Sequence, residues 1–265
     1  MTFPISRRQF MAASGSAGVL GAAVNVSEVS AEDIPVTEKE KGLVFLFQGD
    51  SITDGNWGRN IKDLNHILGH GYVFAVGSRL AADFPNAGFV FHNRGISGHK
   101  VTDLEDRWEK DTLALKPNVL SVLVGVNDAG ANIHNRKGKY DTATFEERYR
   151  GLLRQCKEAN PQILFVLGVP FIYRIAGQAA VWEAWERWER ELPPLAEAVK
   201  KLAKEFDAVL VDYPAMFERA AKSAPLNHWT WDGCHPTIAG HELMAREWIK
   251  HVSVRLPFLK KYNYN

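Results

Sequence analysis

Two places in the chain together hold the parts of an activated nucleophile. Ser51 follows Asp50 just past the apolar run 43–47, and Asp232-Gly233-Cys234-His235 lies near the far end of the sequence. A serine hydroxyl is a weak nucleophile until a base takes its proton as it attacks. His235 can be that base if a carboxylate holds its other ring nitrogen. Asp232, three residues earlier, can reach back across one turn to fix the tautomer and stabilise the imidazolium. The tetrahedral intermediate then needs donors aimed at its oxygen. The backbone N–H of Ser51, the backbone N–H of Gly95 and the side-chain amide of Asn127 supply three, each worth about 2.7–4 kcal/mol in the transition state. A side chain at residue 95 would crowd the oxyanion, and an uncharged amide at 127 donates without titrating. Asp50 is expected to brace the turn by accepting backbone N–H bonds.

The elements that must position these residues alternate along the chain. Strand-like runs occupy 43–48, 88–92, 119–126, 163–169 and 208–212. Most are continuous apolar runs, the pattern of strands buried on both faces. Helical patterns lie between them at about 72–84, 102–115, 144–159, 181–204 and 236–252. Strand, helix, strand, repeated, predicts a five-stranded parallel sheet in a three-layer α/β/α sandwich. Thr144 with Glu147 reads as a capping box, Pro236 suits a first helical turn, and Pro193-Pro194 should bend or split its helix. Ligands of open parallel sheets bind beyond the C-terminal strand ends. Ser51, Gly95, Asn127 and the segment after Pro170 all fall there. Taken singly, a Ser, Gly or Asn after a strand is an ordinary cap or turn residue; four successive strand ends projecting to one rim describe a site.

Composition limits the function classes. The 265 residues are 46% hydrophobic and 24% charged with a formal net charge of +1, and the charges are interspersed. That balance gives no steering toward nucleic acid or anionic membranes. Ser6-Arg7-Arg8-Gln9-Phe10-Met11 is a twin-arginine string. A weak apolar run to Val26 and small residues at Val29-Ser30-Ala31 follow it. Residues 1–31 are therefore expected to be a removable export signal, too short and weak to anchor stably in a bilayer, and 32–265 a single domain. The expected location is periplasmic or secreted, by the bacterial twin-arginine route. Cys156 and Cys234 are the only cysteines and are expected to be free thiols; no zinc spacing occurs.

The blocks Gln48-Gly49-Asp50-Ser51-Ile52-Thr53, Asn93-Arg94-Gly95, Gly125-Val126-Asn127-Asp128 and Asp232-Gly233-Cys234-His235-Pro236 resemble, in order, the four blocks of the SGNH (GDSL-type) hydrolases. Ile52 replaces the usual Leu. The resemblance spans nearly all of the sequence after the leader. It implies a flavodoxin-like sandwich, serine esterase chemistry and no cofactor or metal. It places Ser51, Gly95, Asn127 and His235 in the four signature roles and Asp232 in the carboxylate role.

Three rim segments are candidates for choosing the substrate: 55–71 with Trp57 and Arg59; 129–141 with Arg136, Lys137 and Lys139; and 171–178 together with 227–231. Trp57, Trp229 and Trp231 are the aromatic side chains expected to meet substrate, although Trp229 and Trp231 suit the core equally well. Trp182, Trp185 and Trp188 share one helical face, which reads as a packing face. The expected activity is hydrolysis of small acyl esters, O-acetyl groups of carbohydrates first, through an acyl-enzyme. A small molecule or a polysaccharide would be the partner. The alternatives are a lysophospholipase or thioesterase of longer acyl preference, a catalytically silent carbohydrate-binding homologue, and a metal-dependent phosphoesterase built on Asp50, Asp54, Asp128 and His235.

Overall fold

The apolar runs become five parallel strands: β1 (Val44–Gly49), β2 (Val90–Asn93), β3 (Val119–Leu123), β4 (Leu164–Gly168) and β5 (Val209–Val211). The computed structural model describes residues 34–133, 141–175 and 185–264. The twin-arginine leader, Arg136, Lys137, Lys139 and Trp182 lie outside the described residues. The strand order is β2-β1-β3-β4-β5. Phe45 pairs with both Phe91 and Val119, and Val119 pairs with Leu164, so the register runs straight across the sheet. This is the flavodoxin-like order, whose topological switch lies between β1 and β3.

Alternation along each strand divides the core in two. Phe45 and Phe47 face helices Tyr72–Asp83 and Ile238–Val252, while Leu46, Leu120 and Val122 face helices Thr142–Ala159 and Trp185–Glu205. Trp248 from the last helix is buried against Phe45 and Phe47, and its indole N–H donates to Ser121 Oγ at 3.1 Å. Burying a side chain of that size contributes about 1.5–3 kcal/mol. The result is the three-layer sandwich expected from the sequence.

Several element boundaries differ from expectation, each for a local reason. The span 102–115 is three short pieces, Val101–Glu105, Trp108–Asp111 and the 3-10 turn Leu113–Leu115. The buried Gln48 amide donates to the Asp111 carbonyl and to Thr112 Oγ1, drawing the chain out of helical register there. The helix expected from Thr144 starts at Thr142. Asp141 is its N-cap and accepts from the Thr144 N–H at 2.8 Å, so Thr144 is not the cap. Pro193 and Pro194 do not split their helix, which runs from Trp185 to Glu205. Glu189 and Arg190, whose carbonyls lose their helical donors, are exposed along with both prolines, and water can take those carbonyls. Pro236 precedes the last helix instead of opening it: it bridges Thr230, and Thr237 caps the helix through Gly240 N–H. Helices Ser51–Asp54, Val126–Ile133, Tyr213–Ala220 and Leu226–Trp229 and the 3-10 helix Pro257–Tyr262 lie outside the expected helical spans.

Candidate active site

At the end of β1 the buried Asp50 caps the short helix Ser51–Asp54, accepting the Ile52 N–H at 3.0 Å. Ser51 is the first residue of that helix, where the backbone N–H has no intrahelical acceptor. Its side chain stands at the β1/β3 switch point. The expected bracing role of Asp50 is thus visible as a cap.

The distant segment arrives by a tight turn. Trp231 N–H donates to the His235 carbonyl at 3.0 Å and Thr237 N–H to the Trp229 carbonyl at 2.8 Å. Gly233 sits at φ +90°, and a Cβ there would lie 2.0 Å from the Tyr173 carbonyl oxygen, so this corner excludes a side chain. Within the turn, Asp232 Oδ1 accepts the N–H groups of Cys234 at 2.9 Å and His235 at 2.6 Å. Its Oδ2 lies 2.6 Å from His235 Nδ1, and His235 Nε2 lies 2.8 Å from Ser51 Oγ. A carboxylate only accepts, so Nδ1 carries the proton and Nε2 is left to accept from the serine hydroxyl. The structure therefore joins hydroxyl, imidazole and carboxylate in the order that nucleophilic catalysis needs.

The electrostatics agree with the geometry. The Asp232 hydrogen bond raises His235 above its ordinary pKa, against the opposing effect of burial. For Asp232 burial is the largest influence and pushes upward, but the His235 ring and the two backbone N–H groups outweigh it and hold the carboxyl below its usual range. Asp50 and Asp128 behave oppositely. Burial lifts each to about 7, against the N–H of Ile52 and of Val101 respectively. Burial likewise pushes the Cys234 thiol up, and both cysteines are free thiols.

The expected oxyanion donors fare differently. Asn127 lies in the first turn of Val126–Ile133, and its Nδ2 donates to the His99 carbonyl at 3.2 Å. An amide has two N–H donors, so one remains for a ligand. The Gly95 N–H donates to Asn93 Oδ1 at 2.9 Å. The need for glycine there has a packing cause. A Cβ would lie 2.3 Å from Asp54 N and 2.7 Å from Thr53 C, so residue 95 is small because it packs against the backbone of the Ser51 helix. Sequence reasoning gave Asn93 no role. It is fully buried, and its Nδ2 donates to the carbonyls of Thr53, Asp54 and Leu68 at 2.7–3.1 Å. A buried amide at a strand end beside an apolar run, two residues before a glycine, was the available signal.

The three tryptophans divide. Trp231 is 63% exposed, and its ring stacks at 6.1 Å on His235. Trp229 packs against the core and donates to the Ala224 carbonyl, so it fills space beside the last helix. Trp57 donates its indole N–H to the Gly95 carbonyl at 2.8 Å, and its ring is faced by the Arg59 and Arg94 guanidinium groups. Asp54 is taken by Arg59 and by Ser97. Among the described residues no group of three or more His, Cys, Asp or Glu could hold a metal ion, and no helix is long and apolar enough to cross a membrane.

Residues 47–243 match the GDSL-like lipase/acylhydrolase family. An acetylxylan esterase of Geobacillus stearothermophilus is 32% identical over 220 residues, covering 80% of this chain and 94% of that protein. The crystal structure of that organism's acetylxylan esterase Axe2 superposes with a TM-score of 0.65 at 30% identity, covering 80% and 94% of the two chains. A GDSL-like lipase structure from Parabacteroides merdae gives a TM-score of 0.74 at 36% identity, covering 81% and 97%. Structures of Axe2 variants described as catalytic mutants replace a serine, an aspartate and a histidine, the last two spaced three apart as Asp232 and His235 are.

Proposed function

The chain belongs to the GDSL-like lipase/acylhydrolase family and is a serine ester hydrolase, and from that premise we propose that it removes small acyl groups, acetyl above all, from carbohydrates. Ser51 is the nucleophile, His235 the general base and Asp232 the carboxylate that orients it. The observation that carries these roles is the unbroken relay of 2.8 Å from Ser51 Oγ to His235 and 2.6 Å from His235 to Asp232.

In the first half-reaction Ser51 Oγ attacks the ester carbonyl while His235 Nε2 takes its proton. The carbonyl oxygen becomes an oxyanion facing the Ser51 N–H and the free N–H of Asn127. His235 then gives the proton to the departing sugar hydroxyl, leaving an acetyl-enzyme. Water attacks that ester with His235 again as base, and acetate leaves as Ser51 recovers its proton.

The carbohydrate preference is supported by the acetylxylan esterase likeness and by the exposed Trp231 ring beside His235, which offers a flat face to a sugar. Acetate release from acetylated polysaccharides, set against a p-nitrophenyl ester series of rising chain length, tests it. A steep fall beyond acetate is expected, and a maximum at eight or more carbons overturns it in favour of a lysophospholipase or thioesterase. Ser51→Ala should abolish both acetate release and fluorophosphonate labelling while keeping the thermal melt. We also propose twin-arginine export, supported by the Ser6–Met11 string. Cell fractionation of a chain with Arg7→Lys and Arg8→Lys should find it retained inside, and unchanged export rejects that route.

A further inference from the structure

One side of the Ser51 helix carries more positive charge than its carboxylates consume. Arg59 grips Asp54 with both terminal nitrogens at 2.9–3.1 Å. Arg107 reaches Asp111 at 3.3 Å and the His99 ring at 3.2 Å, and Lys100 takes Asp103. Arg94 is left over. It donates to the carbonyl of Asn93, and among the described residues no carboxylate lies within ion-pair distance of it. Burial depresses its pKa, outweighing the pull of the more distant Asp111 carboxylate, and the charge of Arg59 adds to the depression.

The place matters as much as the charge. Asp54 is three residues beyond Ser51, which puts it one turn along the same helix face. Arg59 lies 4.0 Å and Arg94 5.1 Å from the centroid of the Trp57 ring, and Trp57 is itself tied to Gly95. Both guanidinium groups thus share one aromatic ring, Arg59 is tied to the last residue of the Ser51 helix through Asp54, and Arg94 precedes the glycine that packs on that helix backbone. The Arg59 side chain is 52% exposed and Arg94 is partly exposed, so a ligand can reach them.

We propose that Arg94, backed by Arg59, is a subsite for the carboxylate of a uronic-acid unit carried by the same sugar chain whose acetyl ester is cleaved. This rests on the carbohydrate esterase reading above. A guanidinium fork matches a planar carboxylate with two parallel hydrogen bonds, which a neutral hydroxyl cannot replace. The acid belongs to the sugar side of the ester because the acyl group is acetyl, which carries no charge.

The test compares kcat/KM of the full chain on acetylated neutral oligosaccharides and on acetylated oligosaccharides of equal length bearing one uronic acid. The uronate substrate should be favoured by roughly tenfold or more at low salt, the worth of a charge-assisted hydrogen bond. The preference should shrink as salt shortens the screening length. Arg94→Gln should collapse the ratio of the two substrates, and Arg94→Lys should restore only part of it. The salt series on the unmodified chain carries the test if a variant does not fold. Equal rates on both substrates overturn the subsite. So does an equal loss on both in Arg94→Gln, which would make Arg94 a general electrostatic aid to the oxyanion. A preference for sugar hemisuccinates over uronate acetates places the carboxylate on the acyl side and likewise rejects the assignment. Acetate from neither oligosaccharide, with p-nitrophenyl acetate still cleaved, removes the carbohydrate reading and the subsite with it.

Discussion

Replacing Asp232 by asparagine separates the two jobs of its carboxylate. Oδ1 shapes the turn by accepting two backbone N–H groups, and Oδ2 holds the His235 ring. Asparagine keeps an acceptor for the turn but presents an N–H donor to His235 Nδ1. The ring then carries its proton on Nε2, facing Ser51, and cannot take another. Wrong tautomer with intact turn is the condition under which serine triads lose about 10⁴ in kcat, or about 5.4 kcal/mol. A pH effect follows with a definite sign. His235 is raised above 6.5 first by Asp232, so activity in the parent chain appears as pH climbs through a midpoint above 6.5. Without that charge the midpoint of the residual activity moves to lower pH. Steady-state hydrolysis of p-nitrophenyl acetate from pH 4 to 9, with a thermal melt to check folding, measures both effects. A well-folded Asp232→Asn chain within tenfold of the parent, with the same pH midpoint, would refute the relay.

Other perturbations follow from the same geometry. Asn127→Ala removes a donor used mainly in the transition state, so kcat should fall by roughly 10²–10³ with little change in KM; a change confined to KM would make Asn127 a substrate contact. Gly95→Ala drives a Cβ into the Ser51 helix backbone and should cost about 1–3 kcal/mol and several degrees of melting temperature, with a parallel loss of activity; an unchanged melt contradicts the packing. Asp128 has its folded pKa raised from 3.8 to about 7, chiefly by burial. Its contribution to stability is fully present below 3.8 and lost as pH rises through about 7. Relative to Asp128→Asn, the parent chain should therefore lose melting temperature between pH 4 and 8, and parallel melting curves would argue against it.

The parallel sheet was legible because strands buried on both faces leave unbroken apolar runs such as 43–47, or runs broken once such as 119–124 with Ser121, which few other elements imitate. Ser51, Asp232 and His235 were legible because strand-end position and three-residue spacing are local properties. The Asn93 acceptor of the Gly95 N–H and the packing of residue 95 on the Ser51 helix were not legible, because both depend on contacts between the ends of different strands. Pro236 misled for a similar reason: the bridge to Thr230 outweighs the local preference for a first helical turn. Trp229 and Trp231 are two residues apart and alike in type, yet one packs inward and one lies open. Only the fold of 226–237 decides that.

The hydroxyl and the imidazole that touch at 2.8 Å are separated by 184 positions in the chain. The last helix, which follows the catalytic turn directly, also fills the core beside β1 through Trp248. Turnover therefore reports whether the C-terminal quarter has docked: during refolding, ester cleavage should emerge no earlier than burial of the Trp248 indole, and a partly folded chain would be silent toward its own environment.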